Sequence, residues 1–142
     1  MKKIIVIFVI IIAILGSFCY IYSQKKISQN EVAAYNQQYS SLLNKEILGT
    51  DLGTLINKTV DKNKTNEVSE ENGLFVDNKK NSIIIEIKFI DSDNIIRSEN
   101  IYLNNTAKFI ELYGSSKFKC TKVEFHEKTH MVKYLYFEEV NT

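Results

Sequence analysis

The chain has 142 residues, with 18 Lys and Arg against 17 Asp and Glu, a formal net charge of +1 at pH 7. That length sets one modest domain as the starting expectation, and no basic block is long enough to form a nucleic-acid footprint. The two cysteines, Cys19 and Cys120, stand far apart in the chain and give no disulfide framework; Cys120 reads as a small core residue, because free cysteine is among the most buried types.

Met1-Lys2-Lys3 precedes an uncharged run, Ile4 to Tyr22, rich in Ile and Val. As a helix at 1.5 Å per residue it spans roughly 28 Å, close to the hydrocarbon thickness of a bilayer. Phe18, Tyr20 and Tyr22 gather at its far end, where an aromatic belt lies at the headgroups. The run is longer than the apolar region of a cleaved signal peptide, and bulky residues fill most places where small ones are needed for cleavage. Residues 1–23 are therefore expected to be an uncleaved signal-anchor, with residues 4–22 in lipid. Phe18 before Cys19 is too large for a lipoprotein signal. Lys25 and Lys26 nearly balance Lys2 and Lys3, so orientation rests on the short basic head, which places the N-terminus in the cytoplasm and the rest outside at the cell membrane. Every acidic residue lies beyond the anchor; without Lys2 and Lys3 the remainder carries 16 basic and 17 acidic residues, a net of −1.

Residues 24–73 read as a helical stem, a second helix and a polar loop. Val32, Tyr35, Tyr39 and Leu42 are spaced 3, 4, 3, a helical seam that extends to Leu43 and continues from the anchor. Two heptads are too few for a coiled coil, so the stripe is expected to pack on the chain's own domain; the alternative is a homodimer through the stem. Gly49 is expected to end this helix. Thr50 is expected to cap the next, with Asp51 in its first turn and Leu52, Leu55, Ile56 and Val60 on its apolar face. Asn63 to Asn72 reads as loop. Tyr35, Asn36, Tyr39 and Asn57 meet at the helix junction, where the two asparagines either serve backbone hydrogen bonds or line a binding groove.

From Leu74 the period changes to two, and residues 74–142 read as a sheet domain. Leu74 to Val76 is a short strand, and Asp77 to Asn81 a turn. Ile83, Ile85, Ile87 and Phe89 alternate with Glu86 and Lys88 in a half-buried strand. Asp91, Asp93 and Asn94 form a turn that lacks the Gly and distant Glu of a calcium loop. Ile95 to Leu103 reads as a strand. Asn105 caps a short helix carrying Phe109, Ile110 and Tyr113 and stopped by Gly114. Lys117 to Phe125 and Met131 to Phe137 form a hairpin. The order αα-βββ-α-ββ places the chain in the α+β class, an antiparallel sheet with helices on one face.

The hairpin's tip contains His126-Glu127-Lys128-Thr129-His130, the H-E-x-x-H spacing of zinc peptidases. That chemistry needs a helix, which sets residues four apart on one face so that both imidazoles reach one zinc. It also needs a third ligand. The flanks are rich in Thr, Val, Phe and Tyr, which favour strands, and the chain has no other histidine. A turn with both histidines at its shoulders is expected, and a metal-dependent hydrolase using His126 and His130 is the alternative. With no Gly-rich phosphate loop and no Ser-His-Asp set, neither a catalytic residue nor a cofactor is expected.

Tyr35-Asn36 … Tyr39, followed by Gly49-Thr50-Asp51-Leu52 … Leu55-Ile56-Asn57-Lys58, resembles small membrane-anchored proteins of low-GC Gram-positive bacteria, in which a YNxxY helix precedes a GTDL…LINK helix near an N-terminal anchor. Asn81-Ser82-Ile83, Phe118-Lys119-Cys120-Thr121 and Phe137-Glu138-Glu139 are similar to the same group. The resemblance implies membrane anchoring and this α+β order, carries over no catalytic residue, and implies a Gly-compatible turn at His130. Type IV pilins share the hydrophobic helix and sheet, but the glycine and glutamate that pilin processing needs are missing from Met1-Lys2-Lys3-Ile4, and the first acidic residue is Glu31; a self-assembling envelope component stays a third option. The reading favoured by the sequence is a membrane-anchored module that acts by binding a protein partner.

Overall fold

The computed structural model describes the backbone of residues 2–141 and the side chains of residues 10–26 and 28–141. Two compact units divide at Ala34/Tyr35. The first is most of α1 (Lys2–Ser40). This helix runs unbroken through the apolar segment, its side chains from Ile10 to Tyr22 are all exposed, and it is long and apolar enough to cross a membrane.

The second unit starts with the last turns of α1. They are followed by β1 (Glu46–Leu48), α2 (Gly49–Thr65), β2 (Glu70–Glu71), β3 (Leu74–Phe75), β4 (Ile84–Lys88) and β5 (Ile95–Arg97). Then come α3 (Ser98–Leu103), α4 (Thr106–Tyr113), β6 (Lys117–Phe125) and β7 (Val132–Val140). The class is α+β, as the patterning indicates. Five strands form one sheet in the order β1-β6-β7-β4-β5, while β2 and β3 form a separate ribbon.

The large sheet is mixed, which corrects the wholly antiparallel expectation. β1, β6 and β7 are antiparallel neighbours, as are β4 and β5, but β4 runs parallel to β7, with Ile85 opposite Leu135 and Ile87 opposite Phe137. Alternation along a strand fixes which face is buried and carries no information about the neighbour's direction. The inward row Ile83, Ile85, Ile87 and Phe89 is buried as expected, together with Phe118, Cys120, Leu135 and Phe137. Against it pack Leu52 and Ile56 of α2, Phe109 of α4 and Tyr39 of α1 in one core. Tyr39 is 2% exposed, and Tyr35 and Leu42 pack at the margin of the same core, so this part of the seam lies within the second unit.

Four local expectations need correction. Helix α1 stops at Ser40, before Gly49, and Asn44 at φ +62 turns the chain into β1; Asn is one of the few residues that visits the left-handed region readily. Gly49 opens α2 instead, where a Cβ would stand 1.8 Å from the carbonyl oxygen of Tyr113. Its lack of a side chain therefore serves close helix approach. Thr50 lies inside α2 and Leu48 holds the N-cap position, while Asp51 does sit in the first turn. Asn63 lies within α2 and is buried, and Glu70–Glu71 pairs with Leu74–Phe75, so the expected loop 63–72 is largely structured. The expected strand 95–103 breaks after Arg97, where Ser98 and Ile101 are buried at helical spacing in α3. There the buried Glu99 carboxylate accepts from the Phe75 backbone N–H at 3.1 Å and from Arg97. Helix α4 matches expectation, its N-cap Asn105 accepting from the Ala107 N–H at 3.0 Å.

Candidate functional site

The H-E-x-x-H segment forms the tight connection between β6 and β7. The His126 N–H donates to the Met131 carbonyl at 2.8 Å, and the His130 N–H returns to the His126 carbonyl at 2.9 Å. His130 sits at φ +57 with its side chain exposed, and Glu127 and Lys128 are in solvent. This is a turn, not the helix that would bring two imidazoles onto one metal. The expectation that both histidines sit at its shoulders holds for the backbone, but His126 is 2% exposed. Its Nε2 lies 2.8 Å from the Ser82 carbonyl oxygen. A carbonyl only accepts, so Nε2 donates to Ser82, while Nδ1 stands 3.7 Å from Asp77 Oδ1. Among the described residues no group of three or more His, Cys, Asp and Glu gathers where a metal could be held.

His126 is covered because the loop Asp77–Ser82 folds over the turn. Asn78 Oδ1 accepts from the N–H groups of Lys80, Asn81 and Ser82 at 2.9, 3.0 and 3.1 Å, a knot of local bonds for which Asn is suited. Asp77 Oδ1 accepts from the Lys79 N–H at 2.8 Å and Ser82 Oγ at 3.1 Å, and Lys133 Nζ stands 3.3 Å from Oδ2. Desolvation pulls the Asp77 carboxyl upward, but these bonds and Lys133 outweigh it and hold it below the ordinary carboxylate value. Thr129 Oγ1 completes the join by donating to the Lys80 carbonyl. Beside this lies an open cleft of about 630 Å³ lined by Asp77, Lys79, Glu124, Phe125, His126 and Lys133. Charges of both signs rim it, and the one buried imidazole is already engaged.

The four residues at the helix junction are used separately. Asn36 Nδ2 donates to the His130 carbonyl at 2.6 Å and its Oδ1 accepts from the Val132 N–H at 2.9 Å, so one amide ties α1 to the base of the hairpin. Asn57 Oδ1 accepts from Thr106 Oγ1 at 2.7 Å and ties α2 to the start of α4. Tyr35 and Tyr39 stack at a tilt with ring centres 5.3 Å apart, Tyr39 inside the core and Tyr35 at its margin. The two asparagines thus serve different elements. Ser92 Oγ accepts from the Asn94 N–H at 3.1 Å, giving the Asp91–Asn94 turn a local bond of its own. Cys120 is fully buried, and burial pushes its thiol up, away from thiolate chemistry.

The feature that residue-by-residue reading misses is a groove of about 710 Å³ between α3, α4 and the β4–β5 turn. Phe89, Ile96, Phe109 and Tyr113 floor it and Leu112 forms a lip, with Asn100, Asn104, Lys108 and Glu139 at the rim. The floor is stiff: Tyr113 lies 4.8 Å from Phe89 and stacks on Phe109 at 5.6 Å, and Phe118 supports both phenylalanines from below at 5.9 and 6.0 Å. Leu112 is 66% exposed and Leu103, at the end of α3, is 65% exposed. Leu112 lies three residues after Phe109, on the same side of α4, so helical spacing alone reads it as core and gives no signal that it is exposed. No protein-family model, no curated protein and no solved structure matches this chain.

Proposed function

We propose that the chain is a membrane-anchored binding module without catalytic activity, held by α1 and displaying the α+β domain outside the cytoplasm, where the α3–α4 groove takes an apolar side chain or short apolar segment of a protein partner. The observation that carries this is the groove itself. An aromatic floor with an exposed leucine at its lip, ringed by polar and charged side chains, suits an apolar group whose flanks are polar. The uncharged run beginning just after Lys2-Lys3 supports the anchor and its orientation, as does the likeness of the YNxxY and GTDL…LINK segments to small membrane-anchored proteins.

The test has two arms. The full chain should stay with membranes through alkaline carbonate, and C-terminal reporter fusions should be active only in forms that work outside the cytoplasm. A photo-crosslinking residue replacing Leu112 should then capture a discrete protein in native membranes, and Phe109→Ala in the same chain should abolish that capture. A cytoplasmic reporter signal overturns the orientation. Capture that is unchanged by Phe109→Ala, or no capture at all, overturns the groove.

A further inference from the structure

We infer that β6 carries a homotypic docking edge, and that its occupant is the same strand of a second copy of this chain, paired antiparallel about a two-fold axis through Val123. This surface is separate from the α3–α4 groove. Strand β1 covers the outer side of β6 only at Lys117–Lys119, and Leu43, Asn44 and Lys45 extend the cover to Cys120, whose N–H and carbonyl bond Lys45 and Asn44 at 3.1 and 2.8 Å. Beyond that point β6 runs on to Phe125, paired with β7 on one side. Among the described residues no strand pairs with Lys122–Phe125 on the other side. The extra residue that bulges from β6 lies between Cys120 and Lys122, and the second irregularity falls on β7, so 122–125 is regular strand. Lys122, Glu124 and Phe125 are well exposed along it, the two charged side chains at 59% and 40%.

An open edge is normally blunted, and a lysine is a common means. Here the charge pattern does something different. In an antiparallel pair centred on Val123, Lys122 of each copy stands opposite Glu124 of the other, Val123 opposes Val123, and Phe125 opposes Thr121. Moving the centre by one residue in either direction sets Lys122 against Lys122 or Glu124 against Glu124. The sequence Lys-Val-Glu is therefore self-complementary in one register and self-repelling in the neighbouring ones, which is how cross-strand charge pairs select a register. Within one copy Lys122 Nζ and Glu124 Oε1 already lie 2.6 Å apart on the same face, so both charges are held where an opposing strand would meet them. The interface is isologous and closes at two copies. The opposite edge offers no such site: β5 has three residues and turns at once into α3.

The experiment uses the full chain in nonionic-detergent micelles, with donor and acceptor fluorophores at the C-terminus, and reads energy transfer between copies. Lys122→Glu and Glu124→Lys should each weaken self-association by about tenfold, because each converts two attractive cross-strand pairs into repulsive ones. An equimolar mixture of the two variants should recover the transfer of the unmodified chain or exceed it, since a strand with two glutamates then meets a strand with two lysines. Unchanged tyrosine fluorescence and thermal midpoint show that each variant is folded. Full transfer in either single variant, a mixture no better than its components, or no transfer between unmodified chains would each overturn the inference. Pairing of the helices alone is excluded by recovery in the mixture.

Discussion

The amide of Asn63 is buried with both of its atoms engaged, and Asn63→Ala measures what it contributes. Asn63 is 1% exposed near the end of α2. Its Oδ1 accepts from the Ile83 N–H at 2.8 Å and its Nδ2 donates to the Ile83 carbonyl at 2.7 Å. One side chain thus replaces a missing strand neighbour just before β4 begins, and Ile83 itself is buried. Alanine removes both bonds and leaves two backbone groups without partners. Each such group costs roughly 1–3 kcal/mol when buried, so the expected loss is about 2–6 kcal/mol, a large share of the ~5–15 kcal/mol that holds a typical domain. Denaturant titration of the full chain in micelles, followed by tyrosine fluorescence, reads it; the chain has 8 Tyr and no Trp. Asn63→Asp sharpens the test. Its ionised carboxylate cannot donate to the Ile83 carbonyl, whereas the protonated acid can, and burial favours the protonated form. The folded pKa of the new acid is therefore raised, so its stability deficit is smallest below about pH 4 and grows as pH rises through the folded value. Asn63→Ala has no proton to gain and should show no such dependence beyond that of the unmodified chain. A loss below about 0.5 kcal/mol for Asn63→Ala, well under the cost of even one orphaned buried group, refutes the reasoning.

Three further outcomes are expected from the same titrations. His130→Gly should be neutral or stabilising by about 0.5–1 kcal/mol, because φ +57 suits glycine and the ring is exposed; a clear destabilisation would show that the ring is held. His126→Ala should cost about 2–3 kcal/mol through a cavity and an unpaired Ser82 carbonyl, while a chelator should leave the midpoint of the unmodified chain unchanged. A midpoint lowered by chelation and restored by zinc would revive the metal-dependent alternative. Burial first, and then the Glu86 carboxylate that its hydroxyl meets at 2.7 Å, push Tyr134 above the ordinary tyrosine range. A raised folded pKa means stability that is complete below about pH 10 and lost as pH rises beyond it. Tyr134→Phe should flatten the alkaline limb between about pH 10 and 12, and an unaltered limb would refute the assignment.

What was legible in the sequence follows from how local each cause is. The Ile83–Phe89 row, the Asn105-capped helix and the 117–137 hairpin rest on periodicity and caps, which neighbouring residues determine. β1 was not legible, because Glu-Ile-Leu is too short to show a period and becomes a strand through Lys117–Lys119, which lie far along the chain. Asn63 looked like loop because its residue type is polar, and only the position of Ile83 shows what the amide is for. Gly49 is similar: glycine marks either a helix end or a close approach, and the Tyr113 carbonyl, supplied by another helix, decides between them.

The H-E-x-x-H segment separates the two kinds of inference. Its turn was legible, since strand-forming residues on both sides leave no room for a helix, and the left-handed backbone of His130 and the reciprocal bonds of His126, Met131 and His130 are what a tight hairpin requires. The fate of the two rings was not legible. His126 and His130 are the same residue type at the two ends of one turn, yet one ring is buried and the other exposed. The difference lies in the 77–82 loop, which the Asn78 side chain winds so that the Ser82 carbonyl meets His126 Nε2 while Asp77 faces its Nδ1. On the other side Asn36 takes the His130 carbonyl and leaves that ring in solvent. A motif read as a ligand pair thus becomes, once the neighbouring elements are in place, one core imidazole and one surface imidazole. The outer side of Lys122–Phe125 in β6, unpaired among the described residues, lies beside it, where no motif pointed.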